Sequence, residues 1–244
     1  MLTIAFTDGT IRPWEEDEAK KIFWHSSAHL MAEALEALYP GVRFGVGPAV
    51  ETGFYYDVDL GDRQISESDL KAVEDKMMEL AKTKETFERT EVSKADAMKY
   101  FKEKGDKYKC ELIEALEDGK ITFFKNGNFT DLCRGPHVKH VDDIKAVKLT
   151  AIAGAYWKGD QSRQQLTRIY GVTFPKKSML EDYLKETLAS GVKMGERFDY
   201  LFRQLGTVVC EVVDRLVAEF SVSEFKPVAF ELKIDNDGEV PAYE

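Results

Sequence analysis

Residues 24–38 read WHSSAHLMAEALEAL and decide how the first part of the chain folds. Their larger apolar side chains recur at helical spacing, which predicts an α-helix with one buried face. Pro40-Gly41 ends this predicted helix. His25 and His29 are four residues apart, so we expect both rings on the same face. The apolar positions are Leu30, Met31, Ala34, Leu35 and Leu38.

Short strand patterns and amphipathic helices alternate around this helix. Ser66 and Ser93 are placed to cap two further helices. The mixture predicts an α+β fold, with a largely antiparallel sheet and helices packed on it. The strand patterns occupy residues 2–6, 42–50, 54–58, 121–124, 146–151 and 166–174.

The composition changes near residue 184. Beyond it, apolar side chains at helical spacing run from 198 to 220, and a strand pattern follows at 230–234. We therefore predict an N-terminal strand segment (1–22), a main domain (23–184) and a C-terminal helix and strand appendage (185–244). The apolar stripe of the appended helix indicates packing on the main domain, on a second copy of the chain or on another partner.

Composition excludes several classes of protein. No apolar run approaches the roughly 20 residues that a helix needs to cross a bilayer. Five acidic residues among the first 24 exclude a secretory signal peptide. The three cysteines, Cys110, Cys133 and Cys210, are too few and too scattered for a disulfide framework. We therefore expect a cytoplasmic protein without membrane contact.

Charge is distributed unevenly along the chain. The formal net charge is −10, which argues against non-specific binding of nucleic acid by the whole chain. Residues 134–177, however, hold nine basic and three acidic side chains, a local excess of positive charge. This basic stretch is either a solvated surface or a face that contacts phosphates.

A second pair of residues with metal-binding side chains is formed by Cys133 and His137. Gly135-Pro136 between them cannot continue a helix, so we expect a loop or strand end at this position. Two imidazoles from the first pair and a thiol and an imidazole from the second suit tetrahedral zinc.

Five motifs follow one another along the chain: HSSAH at 25–29, GFYYD at 53–57, GDKYK at 105–109, DLCRGPH at 131–137 and AGAYW at 153–157. This ordered set resembles the editing domain of threonyl-tRNA synthetases, the second additional domain that alanyl-tRNA synthetases share. The resemblance extends over residues 23–184. It implies a role in translation fidelity, by hydrolysis of seryl-tRNA(Thr) at the tRNA acceptor end.

The implied reaction meets a physical need. Serine lacks one methyl group of threonine, and one methyl contact is worth only about 1–3 kcal/mol, so a second site must remove misattached serine. By resemblance, His25 and Lys109 handle the water and its protons. The implied catalytic set is His25, Lys109, His29, Cys133 and His137. The implied substrate-binding set is Asp131, Tyr56 and Arg134.

Two alternatives stay open. Alanyl-type domains imply zinc on His25, His29, Cys133 and His137, which would make the chain a zinc-dependent deacylase. We favour a site without a cofactor, because the Lys109 cation disfavours a dication nearby. The other alternative is a module that grips the tRNA acceptor end through the basic stretch and performs no chemistry.

The resemblance leaves part of the chain unexplained. A complete threonyl-tRNA synthetase also has a class II catalytic core, for which the residues after 184 leave no room, so we expect no ligase activity. The chain is then a fragment, a free-standing editing protein or a fusion. Residues 225–231, FKPVAFE, resemble a piece of the B subunit of bacterial helicase–nucleases.

Overall fold

The computed structural model describes residues 2–187. The α-helices are α1 (Asp17–Leu38), α2 (Glu67–Ala81), α3 (Lys94–Glu103) and α4 (Lys107–Glu114), and residues 177–187 are also helical. The strands are β1 (Thr3–Ala5), β2 (Ile11–Pro13), β3 (Arg43–Phe44), β4 (Ala49–Val50), β5 (Gly53–Asp59), β6 (Glu88–Val92), β7 (Ile121–Asn126), β8 (Phe129–Leu132), β9 (Ala146–Tyr156) and β10 (Gln165–Phe174).

All strand pairs among the described residues are antiparallel, which confirms the predicted α+β fold. The strands form three sheets rather than one. The largest has the order β3-β5-β10-β9, with β4 also paired to β5. β1 pairs with β2, and β6-β7-β8 form the third sheet. This third sheet is separate because β6 is the only other strand that pairs with the β7–β8 hairpin among the described residues.

α1 joins the two larger sheets. It contacts β4, β5 and β10 of the first sheet and β7 and β8 of the other. Phe23, Leu30, Met31 and Leu35 on this helix have no exposed surface. Residues at the centre of α1 therefore lie where the two sheets approach each other.

α1 begins at Asp17, seven residues before the predicted start at Trp24. Asp17 and Glu18 stand in its first turn, where negative charge is favourable near the helix N-terminus. The charged stretch before Trp24 obscured this first part of the helix. The predicted cap of α2 is confirmed, since Ser66 and Asp69 form a capping box.

Several elements were not predicted. α4, β6 and β8 are short and partly charged, and they lack the long periodic pattern on which sequence reasoning depends. Residues 1–185 form one compact unit. The predicted appendage, with its partner contacts, lies almost wholly outside the described residues. Within those residues, no helix is both long and apolar enough to cross a membrane.

Candidate active site

α1 and the segment after β8 bring the two predicted pairs together. His25 and His29 lie on α1, Cys133 follows β8 directly, and His137 lies four residues further on. One ligand atom from each of these four residues lies within 4.8 Å of those of the other three. His29 and His137 are fully buried, whereas His25 and Cys133 are half-buried. We call these four residues the histidine–cysteine cluster.

Hydrogen bonding decides which nitrogen of His25 carries a proton. Nδ1 lies 3.2 Å from the carbonyl oxygen of Gly47, which can only accept, so Nδ1 is the donor. Burial lowers the pKa of His25, and the ring is neutral at pH 7. Nε2 is therefore unprotonated, and it lies 3.0 Å from Cys133 Sγ.

The proton on His137 is located in the same way. Ser26 Oγ donates to the Ile22 carbonyl oxygen at 2.8 Å and accepts from the Val138 N–H at 2.9 Å. Since the Ser26 proton is already engaged, His137 Nδ1 donates to Ser26 Oγ across 3.3 Å. His137 Nε2 is then unprotonated and lies 3.3 Å from Cys133 Sγ.

Two imidazole lone pairs therefore face one thiol. Burial raises the pKa of Cys133 to about 12, so the side chain is a protonated thiol at neutral pH. Its single hydrogen can be donated to His25 or to His137, but not to both. Sγ also accepts from the N–H of Gly135 at 3.2 Å. One imidazole nitrogen is consequently left to accept a hydrogen from a bound substrate or water.

Lys109, Tyr56 and Asp131 form a buried triangle of charged and polar groups. Lys109 Nζ lies 2.5 Å from Asp131 Oδ1 and donates to the Tyr56 hydroxyl at 3.0 Å. That hydroxyl donates in turn to Asp131 Oδ2. None of the three residues is more than 3% exposed. Burial, with the Asp131 charge, raises the pKa of Tyr56 well above its usual value, so the hydroxyl stays a donor.

His29 connects the triangle with the cluster. Its Nε2 lies 3.8 Å from Asp131 Oδ2. Its Nδ1 is buried and has no hydrogen-bond partner among the described residues. Burial lowers the pKa of both His29 and His137 well below the usual value, so both rings are neutral. His137 also stacks on the Phe87 ring, with centroids 4.5 Å apart, which fixes its plane.

α4 positions Lys109 because Asp106 caps the helix N-terminus. Asp106 Oδ1 accepts from the backbone N–H groups of Tyr108 and Lys109, both at 3.1 Å. Its Oδ2 accepts from the backbone N–H of Phe44 at 2.9 Å. One carboxylate therefore fixes the start of α4 against β3.

Two glycines allow close approaches in the site. A Cβ on Gly47 would collide with the Tyr56 ring, so only glycine lets this carbonyl reach His25. Gly135 has φ of +68° and packs against the Phe124 ring, which excludes a larger residue. Both glycines keep backbone groups within reach of the cluster.

The donor set fits a zinc ion. Tetrahedral zinc holds imidazole nitrogens at about 2.0–2.1 Å and sulfur at about 2.3 Å. Ligand atoms around such a zinc ion lie about 3.3–3.6 Å apart. The N···S separations of 3.0 and 3.3 Å at Cys133 would lengthen slightly, and the wider separations in the cluster, of up to 4.8 Å, would shorten. Zinc would be held by His25, His29, Cys133 and His137. With all four as ligands it would have no open position for water, so a catalytic zinc would need one of the four to give way.

The structure brings seven of the eight predicted residues into this one region. The exception is Arg134, which follows Cys133 but has an exposed side chain. Sequence reasoning missed Ser26, Gly47 and Asp106 as site residues. Ser26 stands inside the HSSAH motif, and Asp106 is a typical helix cap, so both had a local signal. Gly47 had no local signal beyond being a glycine, because its role depends on its contact with Tyr56, a residue of another element.

Comparison with known proteins finds a family and several relatives with similar sequences. The family described as "Threonyl and Alanyl tRNA synthetase second additional domain" matches residues 121–170. A threonine–tRNA ligase of Cytophaga hutchinsonii is 61% identical over 180 residues, covering 73% of this chain and 28% of that protein. The corresponding protein of Parabacteroides distasonis is 58% identical over 179 residues, covering 72% of this chain and 28% of its own length.

The chain thus spans less than a third of the length of these relatives. The family match contains Asp131, Cys133 and His137, while the longer similarity covers about three-quarters of the chain. Residues 121–170 therefore match the second additional domain of threonyl- and alanyl-tRNA synthetases, and over about three-quarters of its length the chain is similar to threonine–tRNA ligases.

Proposed function

We propose that this chain is an aminoacyl-tRNA deacylase that removes serine from tRNA charged for threonine. The observation that carries the proposal is the histidine–cysteine cluster beside the Lys109–Tyr56–Asp131 triangle. It combines an unprotonated imidazole nitrogen, a buried ammonium group and a buried carboxylate. Ester hydrolysis uses such a set, because it needs a proton acceptor for water and charges that orient the acyl group.

His25 is the proposed general base. When the Cys133 thiol donates to His137, the lone pair on His25 Nε2 is free to accept a proton from water. The water oxygen then bonds to the acyl carbon, and the bond from that carbon to the ribose oxygen breaks. The protonated His25 ring returns its proton to the ribose oxygen, which leaves as a hydroxyl group.

Asp131 is the proposed anchor for the α-ammonium group of the amino acid. Lys109 and Tyr56 both contact this carboxylate and hold it in one orientation. The Lys109 ammonium also favours negative charge that develops on the carbonyl oxygen. The proposed selection of serine requires that the bound amino acid has no room for the further methyl group of threonine. Aminoacyl-tRNA is used in the cytoplasm, where we place this activity.

The test is deacylation of seryl- and threonyl-tRNA by the full chain. We expect release of serine with threonyl-tRNA spared, and loss of activity by about 100-fold or more in His25→Ala and Lys109→Ala. His140→Ala is the matched control, because His140 lies outside the cluster. Folded chain that leaves both aminoacyl-tRNAs intact would contradict the proposal.

The second candidate is a zinc-dependent deacylase of the alanyl type. The spacing of the four donor atoms supports it. Chain purified without chelator and without immobilised metal would then contain stoichiometric zinc, and Cys133→Ala would lose it. We prefer the metal-free site, since the Lys109 ammonium lies against Asp131 Oδ1, and the other oxygen of this carboxylate is only 3.8 Å from His29 Nε2.

The ion pairs weigh against a module that only binds tRNA. Five of the nine cations in the basic stretch already have carboxylate partners, so few remain for phosphates. Acceptor-end contact by the remaining cations is still part of the proposed reaction. The paired cations are Lys145, Lys148, Lys158, Arg163 and Arg168.

A further inference from the structure

A chamber of about 200 Å³ lies next to the triangle. Its outer wall includes the exposed Gly41 and the ion pair of Glu36 with Lys104, whose charged atoms are 2.8 Å apart. Its inner wall includes Lys109 and Asp131, both 3% exposed. The chamber therefore leads from the protein surface to a buried pair of charges.

The inner end of the chamber needs a polar occupant. The Lys109 ammonium has three N–H bonds. Among the described residues, Tyr56 and Asp131 are the acceptors in contact with it, which leaves one donor without a protein partner. A buried donor without a partner costs about 1–3 kcal/mol. Water meets this need and fits, since each molecule takes up about 30 Å³.

The chamber is separate from the cluster. None of His25, His29, Cys133 and His137 lines it, whereas Lys109 and Asp131 do. Asp131 Oδ2 is also 3.8 Å from His29 Nε2, so Asp131 stands between the chamber and the cluster. His25 and Cys133 are the half-buried members of the cluster, so a large ester approaches from their side.

We propose that this chamber holds ordered water and supplies the molecule that each hydrolysis consumes. The inference rests on the proposed deacylase function. A bound aminoacyl-ribose covers the half-buried side of the cluster and separates it from bulk solvent there. The chamber reaches the Lys109–Asp131 pair past Glu36, Gly41 and Lys104, residues to which no contact with the ester is assigned. Water can then be replaced without release of the tRNA.

The proposal is tested by two separate substitutions, each of which fills the chamber with a larger side chain. Val42, before β3, and Thr130, on β8, both line it. We expect Val42→Phe and Thr130→Phe to lower kcat for seryl-tRNA by about tenfold with little change in KM, as for loss of a step after binding. Val92→Phe is the matched control, because Val92 is half-buried and packs in another cluster.

Water in the chamber is measured directly by nuclear Overhauser transfer from solvent to the Val42 methyl groups. We expect a signal from long-lived water in the unmodified chain and its loss in Thr130→Phe. Folded variants with unchanged kcat, or a Val42 without a water signal, would overturn the proposal. If the unmodified chain deacylates nothing, the proposed function fails instead, and the water signal alone decides whether the chamber is hydrated.

Discussion

Cys133 distinguishes a zinc-dependent mechanism from a metal-free one. His25 Nε2 and His137 Nε2 lie 3.0 and 3.3 Å from its sulfur, and either zinc or a thiol hydrogen can occupy the space between. In the metal-free mechanism, zinc would bind the lone pair that His25 needs as a base. We therefore predict that chelator leaves the deacylation rate unchanged, whereas added zinc inhibits it. Loss of activity in chelator, restored by one equivalent of zinc, would reverse this assignment.

Arg134 is the cation best placed to meet tRNA. It adjoins Cys133, its side chain is exposed, and it has no carboxylate partner among residues 2–187. We predict that Arg134→Ala raises KM for seryl-tRNA and leaves kcat unchanged. The slope of log binding constant against log salt concentration should become shallower by about 0.7–0.9, which corresponds to the loss of one phosphate contact. Arg89→Ala is the control, since Glu91 already pairs with Arg89 at 2.9 Å; an equal effect there would refute a specific role.

At this scale the sequence identified the groups that we propose to react, but not their protonation or burial. The HSSAH and DLCRGPH motifs place His25 and Cys133 correctly in one site. Nothing local to GDKYK indicates that Lys109 is 3% exposed, because its partners come from β5 and β8. Long-range contacts of this kind cannot be inferred from spacing along one segment.

Among the elements, α1 and the segment after the β7–β8 hairpin carry the cluster, and Glu33 joins α1 to the hairpin. Glu33 Oε2 accepts from Asn126 Nδ2 at 2.8 Å, and Oε1 accepts from the Asn128 N–H at 3.1 Å. The side-chain amide oxygen of Asn126, Oδ1, has no partner within the described part of the chain. Burial, followed by repulsion from Glu85, raises the pKa of Glu33. The turn of the hairpin is therefore held to α1 by the carboxyl group of Glu33, whose ionised form is disfavoured by burial.

We predict that Glu33→Ala lowers the free energy of unfolding by about 1–3 kcal/mol, because buried donors lose their acceptor. Glu33→Gln should change the free energy of unfolding little at pH 7. The substitution removes a buried charge, and rotation of the Asn126 side-chain amide restores both hydrogen bonds. Folding raises the pKa of Glu33 above its usual value of 4.5. The stability that Glu33 adds to the folded state is therefore fully present below about pH 4.5 and is lost as the pH rises through the raised pKa.

The unmodified chain should therefore gain stability relative to Glu33→Gln as pH falls from 7 towards 5. Urea unfolding of both proteins across this range measures the difference. A difference that stays constant with pH would mean that Glu33 does not change its protonation on folding. Sequence alone could not reveal this link, because Glu33 reads as one polar position on a helix whose apolar face was already assigned.

For the whole molecule, the described core and site lie within one compact unit of residues 1–185. The buried apolar clusters run from Ile4 to Ile169, and every residue assigned a role lies in the same range. The α+β class and antiparallel pairing were predictable from strand and helix patterns. The division into three sheets was not, because it depends on which strands find neighbours in space.

We predict that a chain cut after residue 187 folds and reacts like the full protein. It keeps every buried apolar cluster of the described residues. Its unfolding temperature should therefore stay within about 2–4 °C of that of the full chain, which corresponds to about 1 kcal/mol for a protein of this size. Since His25, Lys109 and Asp131 are all retained, kcat for seryl-tRNA should be unchanged. Calorimetry and deacylation on both lengths of chain provide the comparison. A large fall in either quantity would show that residues 188–244 are required by the domain, and would locate part of its stability or chemistry there.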